Sequence, residues 1–199
     1  KGTTKTAQYS YDAVGNRSRA VISGATTNYA LVSTSNRLLN TTGAAVNTYS
    51  YDNNGNIIQV NKLYYRYDSL NRLNKVESAT KVFALYGYNP LSQRITKEVN
   101  GVKTVYIYNE TGELLSEIDG TSGVTKRNYV WLDGAPFAIL EGSNVYFFHN
   151  DHNGTPLLVT NSAGAVVWQA SYDAFGQATI TKATITQNLR FAGQYYDAE

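Results

Sequence analysis

The chain has two histidines, and they stand together in His149-Asn150-Asp151-His152-Asn153-Gly154-Thr155-Pro156. Two imidazoles around a carboxylate could ligate a metal or form an acid/base pair. Three donors within four consecutive residues of strand or turn cannot all converge on one ion, however, and the chain contains no Cys to complete a set. The simpler reading is a turn, shaped by Asn153-Gly154 and Thr155-Pro156. Asp52-Asn53-Asn54-Gly55-Asn56 has the look of a calcium loop, but the EF-hand pattern needs Gly at its sixth position and Glu at its twelfth. Those positions hold Ile57 and Leu63, so this too reads as a β-turn. Glycoside hydrolysis requires two acids facing each other across a cleft. The candidates Glu98, Glu110, Glu113, Glu117 and Asp119 are expected at turns or on exposed strand positions. No dinucleotide, phosphate-loop or nucleophile-elbow motif is present. The reading is therefore not an enzyme, with no catalytic residue, metal or cofactor.

The composition favours strands. Of the aromatic residues 17 are Tyr, against 6 Phe and 2 Trp, and Tyr, Val, Ile and Thr suit a pleated, half-buried surface. At 199 residues, 42% hydrophobic and 16% charged, the chain can bury a core, as one large domain or as part of something larger. The net charge of +2 is scattered, so no basic stripe points to nucleic acid or to an anionic membrane. No apolar run approaches the ~18 residues of a membrane span. The chain starts at Lys1 without a signal peptide and contains no Met, which reads as a fragment or processed piece.

The elements that position these residues repeat. The pattern is aromatic, any residue, aromatic, Asp or Asn, then a turn pair. Tyr9-Ser10-Tyr11-Asp12 leads to Gly15-Asn16, Tyr49-Ser50-Tyr51-Asp52 to Gly55-Asn56, and Tyr65-Arg66-Tyr67-Asp68 to Asn71-Arg72. Tyr86-Gly87-Tyr88-Asn89 leads to Ser92-Gln93, and Tyr106-Ile107-Tyr108-Asn109 to Gly112-Glu113. Weaker copies stand at Tyr129-Val130-Trp131, Tyr146-Phe147-Phe148 and Tyr172-Asp173-Ala174-Phe175-Gly176, and a decayed one at Ser35-Asn36-Arg37-Leu38. The period of roughly 20 residues is that of a repeat architecture. Alternation puts both rings on one strand face. The Asp or Asn ends the strand by bonding backbone groups ahead of it, and Gly or Asn supplies a residue with φ > 0. Such a hairpin cannot bury its apolar face alone, so copies must stack. Asn100-Gly101 predicts a type I′ hairpin that sets Val99 opposite Val102, Glu98 opposite Lys103 and Ile95 opposite Tyr106.

These phrases resemble the YD repeats of the RHS family. The resemblance sharpens in "YFFHNDHNGTPLLVTNSAGAVVWQASYDAFGQ" and "LRFAGQYYDAE", which are similar to the RHS repeat-associated core region. Its motif positions are His149, Asp151, His152, Gly154, Thr155 and Pro156, then Trp168, Tyr172, Asp173, Phe175 and Gly176, then Arg190, Phe191, Gly193, Gln194, Tyr195, Tyr196 and Asp197. The family includes bacterial Rhs polymorphic toxins, toxin-complex BC cocoons and, more distantly, the teneurin YD shell. The resemblance implies an all-β fold: an array of hairpins in a spiralling antiparallel sheet, a segment of a hollow shell around an inactive C-terminal toxin. It implies delivery by a bacterial secretion route, and an aspartyl self-cleavage site beyond Glu199. Residues 1–128 are then YD repeats, and 129–199 the core region continuing the same sheet. The implied partners are the rest of the shell and the enclosed polypeptide. Self-association through sheet edges is a further expectation. An adhesive module that binds glycans or a partner through exposed Tyr rows stays open as the alternative. In a shell the rows are buried; in an adhesin several rings share an exposed groove.

Overall fold

The computed structural model describes residues 6–199. The chain divides into two compact units, one ending at Phe83 and one spanning Ala84–Glu199. The first holds β1 (Ala7–Tyr11), β2 (Arg17–Ile22), β3 (Ala25–Leu31), β4 (Leu38–Gly43), β5 (Asn47–Tyr51), β6 (Ile57–Val60), β7 (Leu63–Tyr67) and β8 (Leu73–Glu77). β9 (Val82–Tyr88) pairs through Ala84–Tyr88 with β10 (Arg94–Val99) in the second unit. There follow β11 (Val102–Tyr108), β12 (Leu114–Asp119), β13 (Thr125–Leu132), β14 (Ala135–Glu141) and β15 (Asn144–Asn150). The last strands are β16 (Pro156–Asn161), β17 (Val166–Tyr172) and β18 (Ala178–Ala183). Within each unit every strand pairs antiparallel with its neighbours in sequence.

The repeated phrase builds the turn at one end of each sheet. Asp12 Oδ1 accepts the N–H groups of Val14 at 3.0 Å and Asn16 at 2.8 Å, and Asn16 Nδ2 donates to Oδ2 at 2.9 Å. Gly15, at φ 87°, donates its N–H to the Asp12 carbonyl. The same frame recurs at Asp52, Asp68, Asn89, Asn109, Asp151, Asn161 and Asp173. Its left-handed position is taken by Asn71 (φ 59°) and Ser92 (φ 62°) where Gly is missing. The opposite ends are tight turns. Asn100 (φ 51°) and Gly101 (φ 81°) form the expected two-residue loop, with Val99 opposite Val102 and Glu98 opposite Lys103. The expected third pair, Ile95 with Tyr106, lies beyond the last regular one, Thr96 with Val105, because β10 carries an irregularity between Arg94 and Thr96. At Gly43 (φ 90°) a Cβ would stand 2.3 Å from the Thr26 carbonyl oxygen, so only glycine fits there.

The second aromatic of each phrase has a separate task. The ladder shifts register just before it, at Ser10/Tyr11, Ser50/Tyr51, Arg66/Tyr67 and Ile107/Tyr108. From there its polar tip donates to a carbonyl on the preceding hairpin: Tyr51 to Leu38 at 2.8 Å, Tyr67 to Ile57 at 3.0 Å and Tyr108 to Arg94 at 3.0 Å. Trp131 Nε1 to Leu114 and Asn150 Nδ2 to Pro136, both 2.8 Å, continue the series. At these five positions a hairpin is thus tied to the one before it by a hydrogen bond as well as by packing.

Strands occupy the core region only to Ala183. The expectation that 129–199 all continues the sheet fails for residues 184–199, which leave it and fold back. The expected boundary at 128/129 falls inside β13, whereas the compact units meet at Phe83 and Ala84.

Candidate functional site

Residues 184–199 form a strap over one face of the second unit. Beneath it lies the core: Tyr106, Leu114, Tyr129, Ile139, Phe148, Val159, Trp168 and Ala170, closed from above by Leu189. Trp168 is 1% exposed and Tyr106 2%. The first tyrosines of the phrases are therefore buried at Tyr86 and Tyr106, where the strap covers them, and only half-buried at Tyr9, Tyr49 and Tyr65. Tyr11 is 53% exposed. Tyr88 and Tyr108 are half-buried.

The strap folds through its own motif. Arg190 donates its N–H to the Gln194 carbonyl at 2.6 Å, Gly193 (φ 74°) donates back to Arg190, and Phe191–Gly193 make a single 3-10 turn. Tyr196 N–H bonds the Asn188 carbonyl at 2.7 Å, and Leu189 bridges to Tyr195. The buried Gln187 side chain braces the Leu189 backbone on both sides. Arg190 lies over the rings of Trp168 (4.8 Å) and Tyr196 (5.1 Å), and burial holds its guanidinium below its ordinary pKa. Tyr195 meets Tyr106 edge to face at 5.4 Å. At Gly176 a Cβ would approach the Phe191 ring to 3.1 Å, and the Phe191 and Tyr172 rings are 6.5 Å apart. The motif residues Tyr172, Gly176, Arg190, Phe191, Gly193, Tyr195 and Tyr196 thus meet in space.

Ion pairs clasp the strap to β10. Asp197 takes both terminal nitrogens of Arg94, Nη2 at 2.9 Å, and Lys97 Nζ at 2.7 Å. Lys97 also reaches Glu199 at 2.7 Å, and the Tyr86 hydroxyl donates to Glu199 at 2.9 Å. Burial works against the Arg94 charge, but the Asp197 hydrogen bond and field outweigh it and raise the guanidinium above its ordinary value. Burial pushes the Tyr106 hydroxyl up to about 12. A second cluster sits beside it. Glu117, 5% exposed, accepts the Tyr129 hydroxyl at 2.6 Å, while Arg127 pairs with Glu141 at 2.9 Å and donates to the Thr186 carbonyl at 2.6 Å. Burial, then the Glu117 charge, drives the Tyr129 hydroxyl well above its ordinary value.

The candidate acids Glu113, Glu117 and Asp119 each hold a partner of their own. Glu117 is buried rather than exposed, which corrects the reading from sequence: its strand position faces Tyr106 and Arg127. Glu113 accepts the Asn109 amide at 2.6 Å, and Asp119 holds the Thr121 and Ser122 N–H groups. In the histidine segment, Asp151 accepts the N–H groups of Asn153 and Thr155 at 2.9 Å, and His149 Nε2 lies 3.0 Å from Thr160 Oγ1. His152 is exposed, and Thr155 and Pro156 are buried. Asp173 closes its own turn. Among the described residues no three His, Cys, Asp or Glu cluster to hold a metal. Arg94 and Lys97 were missed from sequence, and the roles of Glu117, Trp131, Leu189 and Glu199 in holding the strap were not foreseen. Arg94 had a signal: it occupies the place after the turn that Arg17 holds in the first copy, and Arg17 also stacks on rings, Tyr9 at 5.8 Å and Tyr29 at 4.5 Å.

The teneurin YD-shell family profile matches residues 1–199, the whole chain. The chain belongs to the teneurin YD-shell family. Among relatives of the YD-shell chain, the tRNA nuclease WapA of Bacillus subtilis is 32% identical over 198 residues, covering 96% of this chain and 8% of that protein. The double-stranded DNA deaminase toxin A of Burkholderia cenocepacia is 29% identical over 170 residues, 67% of this chain and 12% of its own length. The chain thus spans a small part of the curated relatives it matches. A Photorhabdus luminescens Tc holotoxin pore structure superposes with a TM-score of 0.71 at 16% identity, over 98% of this chain and 11% of that one. That likeness shows the all-β antiparallel fold.

Proposed function

We propose that this chain is wall: a stretch of a YD-type shell that encloses a C-terminal toxin segment and holds it inactive. The observation that carries the proposal is the use of its polar groups. Turn carboxylates bind their own backbone, second aromatics tie hairpin to hairpin, and the Asp197–Arg94–Lys97 clasp fastens the strap. These groups are spent on joining strand to strand within each unit, as a wall requires. Matches to a tRNA nuclease and to a double-stranded DNA deaminase toxin, each far longer than this chain, suggest the cargo in this reading, and delivery by a secretion route is part of the same proposal. The adhesive alternative expects rings exposed together in a groove, but of the motif tyrosines of the second unit Tyr86 and Tyr106 are buried, Tyr88, Tyr108, Tyr172 and Tyr195 are half-buried, and Tyr196 is exposed.

The test uses the parent polypeptide through its natural C-terminus. Mass measurement under native and denaturing conditions should give one particle when native and two pieces when denatured, with the C-terminal piece resistant to protease until the shell is unfolded. A single piece whose C-terminal region is digested as readily as an unfolded chain would end the encapsulation reading.

A further inference from the structure

The strap-covered face places cations of the chain on its own rings. Arg94 serves Tyr86 (5.2 Å), Tyr106 (5.5 Å) and Tyr195 (5.4 Å), and Arg190 serves Trp168 and Tyr196. Lys97 also stands over Tyr195, at 5.9 Å, whereas two neighbouring rings, Tyr108 and Trp131, lack such a partner. Tyr108, Trp131 and Tyr195 line a cavity of about 330 Å³ between the β11–β12 loop and the strap. Among the described residues no cation stands over Tyr108 or Trp131.

The rings are fixed before anything binds. The Tyr108 hydroxyl donates to the Arg94 carbonyl at 3.0 Å, and Trp131 Nε1 to the Leu114 carbonyl at 2.8 Å. The Tyr195 hydroxyl accepts from Asn188 Nδ2 at 2.8 Å. With these polar tips engaged elsewhere, the aromatic surface is what remains for the cavity. Leu114 and Leu189 extend the apolar wall, and Gly193 fits against Trp131, whose ring edge would lie 3.8 Å from a Cβ there. One carboxylate lines the cavity, Glu113, held by Asn109 Nδ2 through one of its two oxygens. Rings attract a cation by their quadrupole, and a fixed carboxylate adds charge complementarity that a neutral ligand cannot use.

We propose that this cavity is an aromatic cage for an alkylammonium group, with Tyr108, Trp131 and Tyr195 as its walls and Glu113 as its counter-charge. The group could belong to a small free cation or to a lysine side chain of a polypeptide. Because Leu189, Gly193 and Tyr195 come from the strap, the cage exists only while the strap is docked. A bound cation therefore stabilises the docked strap by mass action.

The experiment titrates the chain, with Trp168→Phe introduced so that Trp131 alone reports fluorescence. The probes are choline, its neutral isostere 3,3-dimethylbutan-1-ol and Nα-acetyl-lysine amide, with sodium chloride matched throughout. Choline should give a saturable change in Trp131 emission, and the neutral isostere should bind roughly tenfold more weakly, about 1.4 kcal/mol. Glu113→Gln keeps the amide-acceptor oxygen for Asn109 and should weaken choline severalfold without altering the isostere. Should Trp168→Phe unfold the chain, the same titrations by calorimetry on the unsubstituted protein take its place. Saturation by acetyl-lysine amide at comparable concentration assigns the cage to protein side chains, and saturation by choline alone assigns it to small cations. Equal binding of choline and its isostere, or no saturable choline response, overturns the proposal.

Discussion

The Asx turn is the smallest working part. Hydrogen bonds to Asn16, Asn56 and Arg72 side chains, ahead of backbone N–H groups, hold the carboxyls of Asp12, Asp52 and Asp68 below the ordinary 3.8. Backbone N–H groups lead at Asp151, and at Asp119 they, with the Ser122 and Lys126 side chains, bring the value to about 2. A carboxyl depressed in the folded state stabilises above its unfolded pKa, and that contribution is lost as pH falls through the folded value. Stability should therefore drop as pH falls from about 4 to about 2. Asn89, Asn109 and Asn161 make the same backbone bonds without a charge. Asp52→Asn should hence leave the denaturation midpoint at pH 7 nearly unchanged and flatten the acid limb of a midpoint-versus-pH series. At the aromatic positions the ring and its hydroxyl separate: Tyr106→Ala should cost about 3–5 kcal/mol, whereas Tyr108→Phe, which loses only the bond to Arg94, should cost about 1 kcal/mol. Urea denaturation of the two variants measures both. Tyr67, half-buried in the first unit, should be milder than Tyr106 when changed to Ala.

Among elements, the strap has the most to lose from a single change. Its clasp pairs Asp197 with Arg94 and Lys97 on one strand, with the Arg94 side chain 17% exposed. Arg94→Met keeps the stem over the rings but leaves Asp197 with Lys97 alone, which should cost about 2–3 kcal/mol. Amide exchange should accelerate across residues 184–199, while β14–β16 keep their protection. Uniform acceleration through all the strands would show that strap and sheet form one cooperative unit.

At the scale of the molecule the open question is how the outer strands are covered. Among the described strands of its own unit β1 pairs only with β2, and β18 only with β17. Unpaired strand edges are templates for other strands. The chain on its own should self-associate, and light scattering across a dilution series should show mass rising with concentration. A monodisperse monomer at every concentration would mean that the edges are protected by their own twist and side chains.

The hairpins could be read in the sequence because they are local. Tyr-x-Tyr-Asp followed by Gly-Asn dictates alternation, strand end and left-handed turn within nine residues, and Asn100-Gly101 sets its own register. The strap could not, because its partners lie on other strands of the sheet: Asp197 meets Arg94, Glu199 meets Tyr86 and Arg190 meets Trp168. The residues of "LRFAGQYYDAE" were recognisable as a motif, yet nothing in their spacing says that they leave the sheet. Glu117 shows the same limit, since strand alternation places a carboxylate on a face but not beneath a strap. Local turn chemistry and side-chain period determined the repeating unit from the sequence. Which faces are covered was decided by tertiary contacts far apart in the chain, Asp197 with Arg94 at 103 positions and Glu199 with Tyr86 at 113, which no local side-chain period encodes.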